Sequence, residues 1–209
     1  MTSEPSLPGN SSSVNPLVLV ISGPSGVGKD AILNRMKERN YPFTFITTVT
    51  TRKRRISEKD GIDYHFISPD DYQKILAKNG FLESAQVYGN WYGVPKEPVK
   101  AALAQGKDTI IKVDIQGAAN IKKVLPEAVF IFIVAPSIEE ISRRLCQRQS
   151  ETSADLELRL KTAEKELGEI SKFDYAVMNP CDDIESAISD LMSLVRAEKC
   201  RTNPHHINL

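Results

Sequence analysis

The sequence predicts an α/β fold, a parallel sheet flanked by helices, with a smaller α+β lobe inserted into it. Three observations carry that prediction. Leu17–Ile21 is a continuous apolar run, as in a strand covered on both faces, "DTIIKVD" at 108–114 reads as a buried strand, and "AVFIFIVA" at 128–135 is the most apolar strand of the chain. Capped stretches of helical period separate them, and strand–helix alternation is the pattern of parallel βαβ units. Between Thr44 and Val94, several short strand-like runs surround one clear helix, and the alternation breaks.

In chain order, the first sixteen residues, "MTSEPSLPGNSSSVNP", read as a disordered tail without the basic start and apolar core of a signal peptide. A strand at Leu17–Ile21 leads through a glycine-rich turn into a helix from Lys29 to about Arg39. "FTFITTVTT" at 43–51 and "GIDYHFIS" at 61–68 read as strands. "SPDD" at 68–71 combines an N-cap, a proline at the first helical position and a capping acid, so a helix runs on to about Lys78. "FLESAQVYGNWYGV" is a hairpin turning at Gly89-Asn90. A helix follows from Pro95 to Gln105 and stops at Gly106. After the strand at 108–114 comes a helix at Ile115–Val124, and after the strand at 128–135 a helix capped by Ser137. The polar break "QSETSAD" precedes a charged helix from Leu156 to about Ile170. "FDYAVMN" is the last strand, and a last helix spans Asp182 to about Lys199.

Composition narrows the function. The chain of 209 residues suffices for one well-cored domain. Twenty-seven basic residues balance 27 acidic ones, so nothing global points to nucleic acid or an anionic membrane. No apolar run approaches transmembrane length. Cys146, Cys181 and Cys200 are widely spaced and fit neither a zinc pattern nor a disulfide framework, as in a reducing cytoplasm.

The glycine turn "GPSGVGKD" carries the strongest chemical signal. Gly23, Gly28 and Lys29 satisfy the phosphate-binding loop G-x-x-x-x-G-K-[ST], and Asp30 stands where its hydroxyl belongs. The backbone N–H groups of Gly23, Pro24 excepted, then Ser25, Gly26, Val27, Gly28, Lys29 and Asp30 can ring phosphates at a helix N-terminus. Lys29 would neutralise β- and γ-oxygens. A second cluster, "TRKRR", sets Arg52 and Arg55 three residues apart, and arginine forks match phosphate oxygens. Lys53 and Arg54 read as a solvated turn.

The ordered series "GPSGVGK", "TTRKRR", "DYHF", "FLESAQVYGNWYG", "DIQGA" and "RRLCQR" resembles guanylate kinase from Leu17 to Lys199. The resemblance implies phosphoryl transfer from ATP, with Mg²⁺, to GMP, in a monomer or homodimer in the cytoplasm. It implies a core at 17–46, 95–142 and 172–199, a GMP-binding lobe at about 47–94, a lid at about 143–171, and a flexible tail at 200–209. Carried over, Arg52, Arg55, Tyr64 and Tyr92 would clamp the GMP phosphate, while Thr48, Glu83 and Asp114 would read guanine. A carboxylate rewards the donors of guanine and would face an acceptor on adenine. Arg144, Arg148 and Arg159 match lid arginines over the ATP phosphates, where positive charge lowers the barrier. Asn179 matches a position near the adenine. Outside that context Glu83 reads as an exposed strand residue, Tyr64 and Tyr92 as core aromatics, and Arg143 as part of a charged helix face.

Three positions depart from the family pattern. Asp30 replaces a hydroxyl residue, Lys112 stands where an acidic residue is usual, and Val94 replaces a small hydroxyl residue that contacts guanine. The first two face each other across the metal site in this fold, so negative charge has moved from strand to loop. Asp30 is placed to pair with Lys112, to bind Mg²⁺ directly, or to complement the helix N-terminus. Loss of a neutral hydrogen bond at Val94 would weaken GMP binding by up to about tenfold. Two other functions share parts of this pattern: a kinase of another phosphate ester, such as ribose 1,5-bisphosphate, and a non-catalytic protein-binding module. Glu83 and Asp114 argue against the first, and the intact Gly28-Lys29 pair against the second.

Overall fold

The computed structural model describes residues 15–56, 58–87, 89–146 and 153–209, with side chains from 158 onward in the last segment. The expected N-terminal tail up to residue 14, and most of the expected break at 149–155, lie outside the described residues. Nine strands and seven helices are found among those described. The main sheet holds five parallel strands in the order β2 (Thr44–Ile46), β7 (Thr109–Lys112), β1 (Val18–Ser22), β8 (Val129–Val134) and β9 (Tyr175–Met178). Because β1 is central, it is buried along its whole length, as its unbroken apolar run requires.

Helices cover both faces. Helices α1 (Lys29–Glu38), α5 (Ile138–Cys146), α6 (Ser153–Leu167) and α7 (Ile184–Lys199) enclose one apolar layer with Leu19, Ile21, Ile131 and Ile133. The other layer joins Val18, Val20, Ile111 and Phe130 to α3 (Lys96–Ala104) and α4 (Ile115–Val124). Val94 is fully buried in this second layer. No helix among the described residues is long and apolar enough to cross a membrane.

The inserted lobe is a second sheet in the order β4 (His65–Phe66), β3 (Val49–Thr50), β6 (Asn90–Pro95) and β5 (Phe81–Val87), closed by α2 (Pro69–Ala77). Ser68 accepts a hydrogen bond from the Asp71 N–H at the α2 N-terminus, as its sequence requires. The strand expected at 43–51 is two strands. Residues 44–46 pair with β7 in the main sheet, whereas 49–50 pair with β4 and β6 in the lobe. Thr47 and Thr48 make the crossing, and their hydroxyls donate to Gly61 and Lys112 carbonyls. The strand expected at 61–68 shrinks to two residues, because Gly61 (φ 76°) turns the chain and its N–H bonds to the Tyr64 carbonyl.

The last ten residues carry no helix or strand. Ile207 nevertheless packs against the α3–α4 layer, and Asn15 donates to the His205 carbonyl at 3.0 Å. Glu198, 4 % exposed, accepts from the Tyr175 hydroxyl and pairs with His205.

Ile131 lies at the middle of β8 with no exposed surface, between β1 and β9. Ile131→Ala should therefore lower unfolding free energy by about 2–5 kcal/mol, the usual cost of emptying such a site. Urea denaturation followed by circular dichroism measures it, and a loss below about 1 kcal/mol would contradict the packing described.

Candidate active site

The glycine turn leaves the carboxyl end of β1, where ligands of open parallel sheets bind. Two glycines are obligatory. Gly23 (φ 137°) would drive a Cβ into the Ile133 carbonyl, and Gly28 (φ 94°) into the Asn179 amide. Gly28 caps α1 without a side-chain acceptor, so the first-turn N–H groups face an anion site with no built-in ligand from the cap. The Lys29 ammonium folds over the turn and donates to the carbonyls of Gly23 (2.5 Å) and Pro24 (2.9 Å). Burial pulls its pKa down to about 8, with Asp30 and Glu166 partly offsetting.

A brace lies behind the turn. The Val27 carbonyl accepts from Asn179 Nδ2 at 2.7 Å and from Arg144 Nη1 at 3.1 Å. Arg144 also donates to the Asn179 and Pro180 carbonyls and to Glu140. Hydrogen bonds from Arg143, against the cost of burial, and from Arg144 hold the Glu140 carboxyl down at about 2. Val27, Arg144 and Asn179 are thus placed behind the turn and do not line the cleft in front of it.

On the lobe side, Arg52 is held by three side-chain hydrogen bonds to two residues. Its Nη1 and Nη2 reach the two Glu58 oxygens at 3.0 and 2.7 Å, and its Nε donates to the Tyr92 hydroxyl at 3.2 Å. Burial opposes charge on both Arg52 and Glu58, but their contact prevails, raising the arginine pKa and lowering that of the carboxyl. Glu58 also accepts the Arg55 N–H at 2.8 Å. Tyr64 stands edge-on to Tyr92, ring centroids 6.0 Å apart, with the Arg52 guanidinium 5.5 Å from the Tyr64 centroid.

The floor of the cleft is acidic. Glu83 on β5 is only 5 % exposed, with Asn120 Nδ2 at 3.4 Å. Burial, reinforced by Asp114 and only partly relieved by Asn120, pushes its carboxyl up to about 7. Asp114 caps α4, accepting from the Gly117 N–H at 2.7 Å. Thr48 is buried beside them and donates to the Lys112 carbonyl.

Asp30 and Lys112 meet at 2.5 Å. Asp30 lies in the first turn of α1 and is half exposed (52 %), whereas the Lys112 side chain is 15 % exposed. Burial opposes the lysine charge, yet Asp30 and Tyr64 carry its pKa above the ordinary value. Its ammonium also sits 4.5 Å from the Tyr64 ring centroid.

These groups surround one cleft of about 570 Å³. Gly23, Pro24, Ser25, Gly26, Gly28, Lys29 and Asp30 line one end. Thr48, Arg52, Arg55, Tyr64, Glu83, Tyr92 and Asp114 line the other, and Arg159 reaches it from α6. Arg148 lies outside the described residues. Sequence reasoning passed over Glu58, Glu140, Asn120 and the cleft-lining Glu166. The spacing of Glu58, three residues beyond Arg55 in an arginine-rich loop, was the one available signal among them.

A family model described as guanylate kinase matches residues 15–198. Among curated relatives, "Guanylate kinase" of Clostridium perfringens (strain SM101) is 42 % identical over 92 % of this chain and 88 % of its own length. "Guanylate kinase" of Carboxydothermus hydrogenoformans is 41 % identical, covering 92 % of each. A crystal structure of guanylate kinase from Anaplasma phagocytophilum superposes with a TM-score of 0.74 at 32 % identity, over 90 % of this chain and 88 % of that one.

The raised Glu83 carboxyl has a sign that can be checked. Its folded pKa of about 7 lies above the ordinary 4.5, so folding favours the protonated form. That preference has no effect below about pH 4.5, where both states are protonated. It costs stability increasingly from about pH 4.5 toward 7 and levels off above that, where both states are ionised. Glu83→Gln should therefore raise the thermal midpoint at pH 8 relative to the parent and change it little at pH 5. Equal shifts at both pH values would contradict the burial described.

Proposed function

The chain belongs to the guanylate kinase family, and on that premise we infer that it transfers the γ-phosphoryl group of ATP to GMP, giving ADP and GDP. The observation that carries this reading is a single cleft with a phosphate-binding turn at one end and an arginine–tyrosine clamp over a buried carboxylate at the other. A donor and an acceptor phosphate held at its two ends would meet between them.

Each group has a part. The N–H groups of the turn and the α1 N-terminus hold the ATP phosphates, and Lys29 supplies positive charge there. Its lowered pKa returns upward when phosphate replaces the loop carbonyls as its partner. Arg52, preset by Glu58 and Tyr92, takes the GMP phosphate with Arg55 and Tyr64. Glu83, once ionised, accepts from the guanine ring N–H and amine, and Asp114 and Thr48 sit beside it. Arg159 brings charge from α6, and Arg144 acts through the loop it braces. The stretch at about 143–171, of which α6 is the main described part, forms a lid that excludes water on closing.

The residues present fit Mg²⁺. No group of three or more acidic, histidine or cysteine side chains that could hold a metal gathers among the described residues. Mg²⁺ bound through nucleotide phosphates asks for only one or two carboxylates. Asp30, half exposed at the end of the turn, is the carboxylate in place, which gives this P-loop an atypical last position. When bound, the ion neutralises charge on the transferring phosphoryl group. We place the protein in the cytoplasm as a monomer or homodimer. Its three cysteines are exposed and unbridged, consistent with a reducing compartment.

Two outcomes test the reading. In a coupled assay for ADP, GMP should be strongly preferred over AMP, and Glu83→Gln should raise the GMP KM and shrink that preference by about tenfold or more. Unchanged discrimination would remove Glu83 from the guanine site. Small-angle scattering should show compaction on adding GMP with a non-hydrolysable ATP analogue, and an unchanged radius of gyration would remove the lid.

A further inference from the structure

Lys112 stands between two sets of groups that the proposed reaction must bring together. Its backbone is fixed, because β7 is an interior strand paired with β1 and β2, and Lys112 itself pairs in register with Ile21. Its carbonyl receives the hydroxyl of Thr48, from the lobe side of the cleft. Its ammonium leaves the sheet toward Asp30 on one side and the Tyr64 ring on the other. Asp30 belongs to the ATP loop and Tyr64 to the GMP clamp.

We propose that Lys112 is a positioning residue that ties the donor-phosphate loop to the acceptor lobe. Its ammonium, held between the Asp30 carboxylate and the Tyr64 ring, makes the affinity for GMP depend on a side chain of the ATP loop. The proposal rests on the ATP and GMP reading above. It follows from how little freedom the ammonium has. The side chain is mostly buried, so water compensates poorly for a lost partner. Lys29 and Lys37, on the same helix as Asp30, are near enough to repel it. Asp30 is the anion that holds it in place against that repulsion. With Asp30 neutral, the ammonium is no longer drawn to its position beside the Tyr64 ring. Tyr64 in turn lies against Arg52 and Tyr92, the centre of the clamp. The chain of contacts runs from Asp30 through Lys112 and Tyr64 to Arg52, across the cleft.

The experiment is a binding cycle without ATP or Mg²⁺, so that no effect passes through metal. GMP is titrated calorimetrically into the parent, Asp30→Asn, Lys112→Met and the double variant. Asp30→Asn should weaken GMP by about three- to tenfold, and the double variant should bind no worse than the weaker single one. Lys112→Arg, which keeps the cation, should recover most of the Lys112→Met loss; a loss of packing alone would not be restored by a larger side chain. Unchanged GMP affinity in Asp30→Asn, or effects that simply multiply, would overturn the proposal. If Lys112→Met does not fold, the half-exposed Asp30→Asn site and Lys112→Arg decide it alone. A parent protein that neither binds nor phosphorylates GMP would sink the proposed function instead. The interlock is then read from thermal midpoints of the same four proteins, where additivity of the Asp30 and Lys112 changes overturns it.

Discussion

The Val27 carbonyl is a small group on which much of the molecule converges. Two donors reach it, the Asn179 amide from beyond the end of β9 and the Arg144 guanidinium from α5. Both come from behind, so the turn keeps its other face for phosphate. The brace explains why position 28 must be glycine, since the amide occupies the space where a side chain would begin. It also explains why Arg144 is so fully engaged. Its partners are a carboxylate and three backbone carbonyls, which fix the arginine as they fix the loop. Preorganisation of this kind spares the site the cost of arranging its N–H groups at the moment of binding.

The two ends of the cleft hold charge in opposite unfavourable forms. At one end burial makes the Lys29 ammonium easier to deprotonate; at the other it makes the Glu83 carboxyl harder to ionise. Burial pushes each group toward neutrality, and on the proposed reading phosphate would offset this for the lysine and guanine donors for the carboxylate. The family reading therefore agrees with the electrostatics of this chain. Buried groups of this kind reward a matching ligand and penalise one that leaves them unpaired.

The fold was legible where local chemistry and tertiary need coincide. Helix α4 runs over Ile115–Val124 as its sequence predicts, because Asp114 supplies the cap. The Ser68-Pro69 start of α2 is equally local. The strand at 43–51 was misjudged because its residues have uniform strand character while their partners belong to two different sheets, and pairing partners are not written locally. In the site, the glycine turn and the arginine pair were visible because their chemistry lies within a few residues. Glu58 and Glu140 were not, since a glutamate among arginines reads as surface charge until the fold shows which guanidinium it holds. Arg144 was recognised as important, but its sequence could not say which side of the loop it approaches.

The clasp at Asn15 and His205 has a consequence for the topology of the chain. Residue 15 precedes β1, whereas the phosphate turn follows it, so the Asn15–His205 contact lies at the far end of the central strand from the cleft. A bridge of a few residues could join these positions without crossing the substrate path. The polypeptide could then be reopened elsewhere, for instance in the turn at Gly89, whose absent side chain has open space around it. The order of strands in space would be unchanged while their order in the gene was rotated. Such a circular permutant separates what the cleft requires, a particular arrangement of strands and loops, from the sequence in which ribosomes deliver them.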